Sequence, residues 1–509
     1  MIFILFVITG VLLVVYLKQK YFTLHGYVPG LAPQFLFGNL LQSGFFNGNS
    51  PPMILSTFQK RFGDVFQFWF GPSRFIVINN ITDVEHVLTH RNIYDQGDIF
   101  IEKFSINYSQ SLISTKGLSQ IASLWPFLCK IISLGIQFKR HSSIVSPLFR
   151  RSKVISHFDL IIGCTDKLLT KWRKTEAKTI HVDIVSQCHN LVLAIFGFIA
   201  FDYDLETLDD GDNELTLALR TIINSIMTIL ALPRILAKAY VTLSYRQRQA
   251  RNTIERYIYR MIEHEQATAQ GKHTSLIASL VHSLRMNEHL EATEDIDEDK
   301  RGLSRNEVVD EMVAFLIAGF ESTSSTLVWF IHLVSKHAQV QQKIKAELIA
   351  QDCLYHLSSD RLDSLVYLNC VINEVLRFIP PATGTIRTLT RDDCLPATNV
   401  QLVRGDSVLI PFHSLAHDPR YWSVDPNLFY PERFLGEDQN HHPYALIPFG
   451  GGHRQCIGQD LARFELKVIV GRLMQKVTFD DAGPEVNAGG HSMGLAILPK
   501  HIGVSIEFD

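Results

Sequence analysis

Cys456 stands in the segment whose residue types point most directly to chemistry, Pro448 to Arg463 (PFGGGHRQCIGQDLAR). Glycines at 450, 451 and 452 let the backbone turn tightly, Arg454 supplies a fixed positive charge, and a helix is predicted from near Ile457. A thiol at a helix N-terminus beside an arginine is drawn toward thiolate, the form that binds metal. A generic glycine-rich loop would leave the cysteine incidental. The full combination of Phe449, Gly452, Arg454, Cys456 and Gly458 does not.

Two further sets of polar residues sit at helical spacing. Glu374 and Arg377 lie three apart on a predicted helix, Ser364 to Phe378, that stops before Pro380-Pro381, so they share one face. Taken alone they are an ordinary surface pair. Upstream, Ser304 and Glu307 form a capping box that opens a helical stretch running to His337, about 50 Å by rise per residue. Midway it carries Ala318-Gly319-Phe320-Glu321-Ser322-Thr323. An acid followed by alcohols is either a polar patch on a core helix or a proton relay.

These residues belong to a chain of 509 residues with 48 Lys+Arg against 51 Asp+Glu. Such a balance excludes the electrostatic footprint of a sequence-tolerant nucleic-acid binder. With 46% hydrophobic and 19% charged residues, disordered and collagen-like chains are excluded as well. Seven cysteines without paired short spacings predict reduced thiols rather than a disulfide framework or a structural zinc site. Met1 to Leu17 carries no charge and is followed by Lys18 and Lys20. Residues 1–20 therefore read as an uncleaved membrane anchor that leaves the following chain cytosolic. Residues 21–34, with Pro29 and Pro33, read as a stiff hinge, and 35–509 as one domain without repeats or long linkers. Phe66 to Asn79 alternates around Gly71-Pro72 and predicts a hairpin.

The spacing of Phe449, Gly452, Arg454, Cys456 and Gly458 resembles the F-x-x-G-x-R-x-C-x-G heme-binding signature of the cytochrome P450 family. The resemblance implies a mainly α fold with a small β portion, and heme b held between the long central helix and the cysteine loop. It makes Cys456 the thiolate ligand of the iron, where electron donation favours O–O cleavage. Arg454 and Arg387 then pair with heme propionates, and Phe449 packs near the sulfur. Glu374 and Arg377 fit the family's E-x-x-R pair, and Pro431-Glu432-Arg433-Phe434 fits a later P-E-R-F segment. Together Glu374, Arg377 and Arg433 are expected to form a buried ion network. Ala318 to Thr323 is similar to the oxygen-activation motif: Gly319 leaves room for O₂ beside the helix, and Glu321, Ser322 and Thr323 relay protons. Ser322 departs from the usual threonine and loses the methyl that restricts its rotamer. Phe138 and Ser142 stand where the family's W-x-x-x-R helix has Trp and Arg, leaving Arg140 as the substitute propionate partner. Leu118 to Ile136 precedes that helix, has no obvious counterpart in the family and reads as an insertion.

By the same resemblance the activity is O₂-dependent monooxygenation of an apolar small molecule such as a lipid, steroid or xenobiotic. Electrons come from NADPH through a membrane-bound reductase, with cytochrome b5 as a further partner. The location implied is the endoplasmic reticulum membrane. Lys139, Arg140, Arg150, Arg151 and Lys153 form a basic stretch that is either solvated helix charge or a surface suited to an acidic reductase. Phe100, Phe104, Phe315, Ala318 and Thr383 are the expected pocket residues. Two rival readings share the resemblance: a heme-thiolate isomerase or dehydratase that works without reductase, and a non-catalytic heme-binding protein. NADPH consumption in the presence of reductase separates both from the monooxygenase.

Overall fold

Apolar residues recurring at helical spacing dominate this chain, and helices make up most of what they build. A computed structural model describes residues 2–24, 26–106, 111–114, 138–176, 179–208, 213–268, 275–293, 301–354, 356–492 and 494–509. Leu118 to Ile136, read above as an insertion, lies outside the described residues. The helices are α1 Ile2–Tyr21, α2 Pro51–Phe62, α3 Ile81–Thr89, α4 Asp98–Phe104, α5 (residues 138–145), α6 Arg151–Ile155, α7 Phe158–Arg173, α8 Ile184–Phe201 and α9 Glu214–Ala231. They continue with α10 Arg234–Leu243, α11 Tyr245–Thr268, α12 Leu276–Thr293, α13 Arg305–Lys336, α14 Ala338–Ala350, α15 Val366–Phe378, α16 Phe412–Ala416 and α17 Gln459–Met474.

The strands are short: β1 Val65–Phe70, β2 Ser73–Ile78, β3 Tyr94–Gln96, β4 Ile180–His181, β5 Gly384–Leu389, β6 Asp393–Cys394, β7 Gln401–Leu402, β8 Ser407–Pro411, β9 Val477–Asp481, β10 His491–Ser492, β11 Leu498–Pro499 and β12 Val504–Phe508. The main sheet has the order β1-β2-β8-β5-β3, with β2 and β8 parallel and the other pairs antiparallel. The predicted hairpin is present as β1 and β2, with Val65 opposite Ile78.

The long helix is α13. Ser304 caps it with the reciprocal Glu307 bond, and apolar side chains around its whole circumference make it a core helix rather than a surface one. By length and composition α8, α9 and α13 are each apolar enough to cross a membrane, yet α8 and α13 are largely buried within the protein and α9 half so. Their apolarity is used in the core that α13 shares with α7, α8, α15 and α17. α1 differs, because Ile4, Val7, Ile8, Val11, Leu12 and Val15 are all exposed.

Candidate active site

The cysteine loop is shaped by close backbone approach. Gly452 has φ +69, and a Cβ there would lie 2.0 Å from the Leu88 carbonyl oxygen of α3, so only glycine permits this contact. The loop returns on itself through the Cys456 N–H, which donates to the Phe449 carbonyl at 2.9 Å. α17 begins at Gln459 with Gly458 before it. Among the described cysteines Cys456 alone is exposed. Protein encloses its sulfur on most sides all the same; this burial pushes the thiol up, and a hydrogen bond from the Gly458 backbone opposes it. The expected help from Arg454 is not found. That guanidinium turns away to Asp95 Oδ1 at 3.3 Å and stacks 3.8 Å from the centroid of the Phe138 ring.

Arg454 and Arg387 nevertheless meet at one place. Arg387 donates from β5 to the Gly451 carbonyl at 3.2 Å and to Thr385 Oγ1 at 2.6 Å. Burial, and repulsion from Arg454, push Arg387 down to about 10. Burial likewise lowers Arg454, with Asp95 opposing. Two buried cations that repel one another call for more negative charge than one aspartate brings. A group carrying two carboxylates beside an accessible thiol supplies it, so these residues fit heme. Asp95, on β3, was not signalled by any sequence motif; strand pairing of β3 with β5 brings it to the loop.

The helix α5 corrects one expectation. Arg140 pairs with Glu307 at the start of α13, and the adjacent His141 bonds Glu311 through Nδ1 and lies 3.3 Å from Glu307 through Nε2. Arg140 is thus held by a carboxylate of α13 rather than offered to a propionate, because the Ser304 cap fixes Glu307 at the helix end. Burial disfavours charge on His141, but hydrogen bonds to Glu307 and Glu311 outweigh it and raise its pKa. Ser142 shares a hydrogen bond with Ser146 at 3.1 Å and takes no part in the arginine pair. Phe138 keeps an aromatic ring against Arg454.

On α13 the relay residues do not converge. Phe149 stacks on Phe315 at 5.7 Å, and a Cβ on Gly458 would lie 4.0 Å from the Phe149 ring and 3.9 Å from Cys456 Sγ. Phe149 therefore bridges the cysteine loop to α13. Phe315, Ala318 and Ser322 follow i, i+3, i+7 spacing and form one stripe. Ala318 is exposed and Ser322 half-buried on a helix otherwise almost wholly buried, and Ser322 Oγ donates to the Ala318 carbonyl at 3.3 Å. Glu321 and Thr323 are buried off that stripe. Glu321 faces His189 of α8, 3.6 Å away, and burial pushes its carboxyl up to about 7, with Arg220 and the Ala496 backbone opposing.

Gly319 also departs from expectation: a Cβ there would lie 2.3 Å from Phe196 of α8. Its missing side chain admits a packed aromatic ring, not a small ligand. Gly319→Ala is accordingly expected to destabilise the protein by about 1–3 kcal/mol through overpacking. An unchanged Tm would refute this account.

Glu374 and Arg377 are fully buried, with Arg377 bidentate on the carboxylate at 2.7 and 2.8 Å. Arg433 Nε lies 3.1 Å from the same carboxylate and its Nη1 3.0 Å from Asp438. Arg377 and Arg433 also donate to the carbonyls of Ala416, Val424, Asp425, Pro426 and Leu428. The expected network is therefore present. Asp438 is its unpredicted member, five residues beyond Arg433, where no motif marks it.

A cavity of about 350 Å³ opens among β1, β2, β5, α2, α4 and α9. Phe68, Phe70, Phe100, Met227, Thr383 and Leu495 are among its walls, and among the described residues no charged side chain lines it. Phe100 and Thr383 both line this cavity. Phe104 stacks behind Phe100 at 4.5 Å, and Phe315 packs on Phe149 instead of lining this cavity.

Comparison with known proteins accords with this geometry. Cytochrome P450 3A11 of Mus musculus is 25% identical over 359 residues, covering 68% of this chain and 69% of that protein. Cytochrome P450 72A68 of Medicago truncatula is 24% identical over 444 residues, 85% and 79% of the two chains. A Streptomyces melanosporofaciens protein, cyclooctat-9-en-7-ol 5-monooxygenase, is 26% identical over 419 residues, 81% and 82%. The profile of the family named Cytochrome P450 matches residues 28–505. With that match, the cysteine loop and the Glu374 network agreeing, the chain belongs to the cytochrome P450 family of monooxygenases.

Proposed function

We propose that the protein is a heme-thiolate monooxygenase that inserts one oxygen atom from O₂ into an uncharged, apolar small molecule, with NADPH electrons passed on by a reductase. The observation that carries this reading is an accessible Cys456 beside two buried, mutually repelling arginines. Cys456 Sγ would ligate the iron, and Arg387 and Arg454 would hold the propionates. The heme supplies O₂ activation when bound. Phe449 restrains the cysteine through its carbonyl, and Arg463 covers the Phe449 ring at 5.0 Å. The cavity, lined mainly by phenylalanine and aliphatic side chains with a few uncharged polar ones and no charge among the described residues, suits a hydrocarbon-rich substrate. Ser322 holds a proton on the open stripe of α13, and Glu321 is the acid that replenishes it.

The test is a reduced, carbon-monoxide-bound difference spectrum of the full chain in membranes, followed by substrate-dependent NADPH consumption with reductase. A strongly red-shifted Soret band and substrate-stimulated consumption are expected. Absence of the band overturns the reading, and NADPH-independent conversion would favour the isomerase.

Serine lacks the methyl that fixes a threonine rotamer. Ser322→Thr is therefore expected to release less peroxide per NADPH than wild type, and equal ratios refute the role.

For the reductase, the exposed Arg150, Arg151 and Lys153 lie beside a groove lined by Arg151, Asp363, Asp460, Arg463 and Lys467. It adjoins α17, the helix that follows Cys456. Reversing charge at Arg150 and Arg151 is expected to raise the reductase concentration for half-maximal turnover, most at low ionic strength. An unchanged value removes this surface from the proposal. Cytochrome b5 competes for the same basic face in this reading. The exposed apolar helix α1, with Lys18 and Lys20 in its last turn, anchors the protein in the endoplasmic reticulum membrane.

A further inference from the structure

Near the start of α13 four ionisable side chains meet between that helix and α5, none of them lining the apolar cavity. Glu307 and Glu311 stand one turn apart on α13 and so share a face. His141 lies between them, bonding Glu311 through Nδ1 and standing 3.3 Å from Glu307 through Nε2, while Arg140 pairs with Glu307. His141 is 1% exposed and Glu311 0%. Glu311 Oε1 also accepts the Leu112 N–H at 2.6 Å, and Glu311 Oε2 has no hydrogen-bond partner among the described residues. One carboxylate therefore holds two stretches of chain, Leu112–Ser114 and α5, that flank Leu118 to Ile136. The first of these stretches brings no ionisable side chain of its own. Two carboxylates thus face one guanidinium, and the buried cluster is neutral only when His141 carries the second positive charge.

The same helix α5 leads to two aromatic contacts with the cysteine loop. Phe138, at its first position, stacks on Arg454 at 3.8 Å, and Phe149, just beyond its end, lies beside Gly458 and stacks on Phe315. We infer that His141 is a positioning residue for the cysteine loop: its charged imidazole clasps α5 to Glu307 and Glu311 of α13, and the clasp loosens when the imidazole loses its proton. Both counter-charges come from α13, so the docking of α5 needs no bound group; its consequence for heme retention rests on the heme-thiolate site proposed above. Burial disfavours charge on His141, but hydrogen bonds to the two carboxylates outweigh it and place its folded-state pKa above the ordinary 6.5. The clasp is therefore complete below about 6.5 and is lost as pH rises through the folded value. Between the two values opening releases one proton, so it becomes about tenfold easier per pH unit. The deprotonated cluster leaves Glu307 and Glu311 with Arg140 alone, one buried negative charge in excess.

The experiment is hydrogen exchange of the full chain, read by mass spectrometry on peptides containing residues 111–114 and 138–145 and corrected for the intrinsic pH dependence of exchange. Protection is expected to be constant below pH 6.5, then to fall by about tenfold per pH unit until it levels. His141→Gln is uncharged and is expected to show the low, alkaline level of protection at every pH. Adding Glu311→Gln restores the charge balance and keeps an Oε1 acceptor for the Leu112 N–H, so the double variant is expected to regain protection without pH dependence. Packing alone would not be rescued by removing a second charge. Release of heme to apomyoglobin, followed at the Soret band, is expected to accelerate over the same pH range in the wild type and to be fast throughout in His141→Gln. Wild-type protection that does not change above pH 6.5 overturns the inference, as does a double variant no better protected than the single one. If His141→Gln fails to fold, the wild-type profile decides. Exchange that follows the expected pattern while heme release stays constant with pH overturns His141 as a positioning residue for the loop. The expected exchange pattern in a chain that takes up no heme would leave the clasp in place and remove the heme-thiolate reading instead.

Discussion

Cys456→Ser is expected to abolish both the red-shifted carbon-monoxide band and NADPH-dependent oxidation while the protein stays folded. The loop does not depend on the sulfur for its shape: its turn is closed by the backbone bond from Cys456 N–H to the Phe449 carbonyl, and by Gly452 against Leu88. Serine is nearly isosteric and keeps that bond. It does not provide a soft thiolate donor at neutral pH, so the loss falls on iron ligation and on the electron donation that favours O–O cleavage. Activity should drop below detection with a Tm close to wild type. The same exchange at Cys370 supplies the control, because Cys370 is a buried residue of α15 and not part of the loop. A Cys456→Ser protein that kept the band would remove the cysteine from the proposed site.

Loss of Glu374 is expected to have the largest effect on the fold. Its carboxylate is the shared counter-charge of Arg377 and Arg433, and all three side chains are wholly buried. Glu374→Gln keeps the volume and removes the charge. Two guanidiniums then remain in the interior with carbonyls and with Asp438 on one of them. Leaving a buried charge without its partner costs about 3–5 kcal/mol, against a total stability of about 5–15 kcal/mol for a typical native protein. The variant should be recovered mostly unfolded or without heme. Arg433→Lys should be nearly as damaging, since an ammonium group does not reproduce the fork that reaches Glu374, Asp438 and three carbonyls. Denaturation midpoints and heme per polypeptide measure both. A Glu374→Gln protein with wild-type stability would mean that the carbonyls alone neutralise the two arginines.

The pH dependence of Glu321 has a defined sign. Its folded-state pKa, about 7, lies above the ordinary value of 4.5, so its contribution to stability is complete below about 4.5 and is lost as pH rises through about 7. This window separates it from Glu307, which its hydrogen bonds to His141 and Ser304 draw down to about 2 against the opposing effect of burial. The two acids sit on one helix and titrate far apart because burial dominates at Glu321, whereas at Glu307 burial is outweighed by hydrogen bonds from His141 and Ser304 and by the charge of Arg140.

The sequence by itself determined the cysteine loop, the capping box of α13 and the β1–β2 hairpin, while the network of Glu374, Arg377 and Arg433 was expected only from the family resemblance, since spacing alone made Glu374 and Arg377 an ordinary surface pair. The first three are legible because each rests on short-range rules: a glycine at a tight turn, an acid three residues after a serine, alternation about Gly71. Tertiary structure alone decided which way the side chains turn. Arg454 goes to Asp95 and Phe138, Arg140 goes to Glu307, Gly319 opens toward Phe196, and Glu321 finds His189. Asp95, Asp438 and His189 carry no local signal because their partners are reached through strand pairing, a loop return and a helix crossing. Spacing along a chain fixes which face a residue occupies, while the identity of what faces it depends on elements hundreds of residues away that pack there.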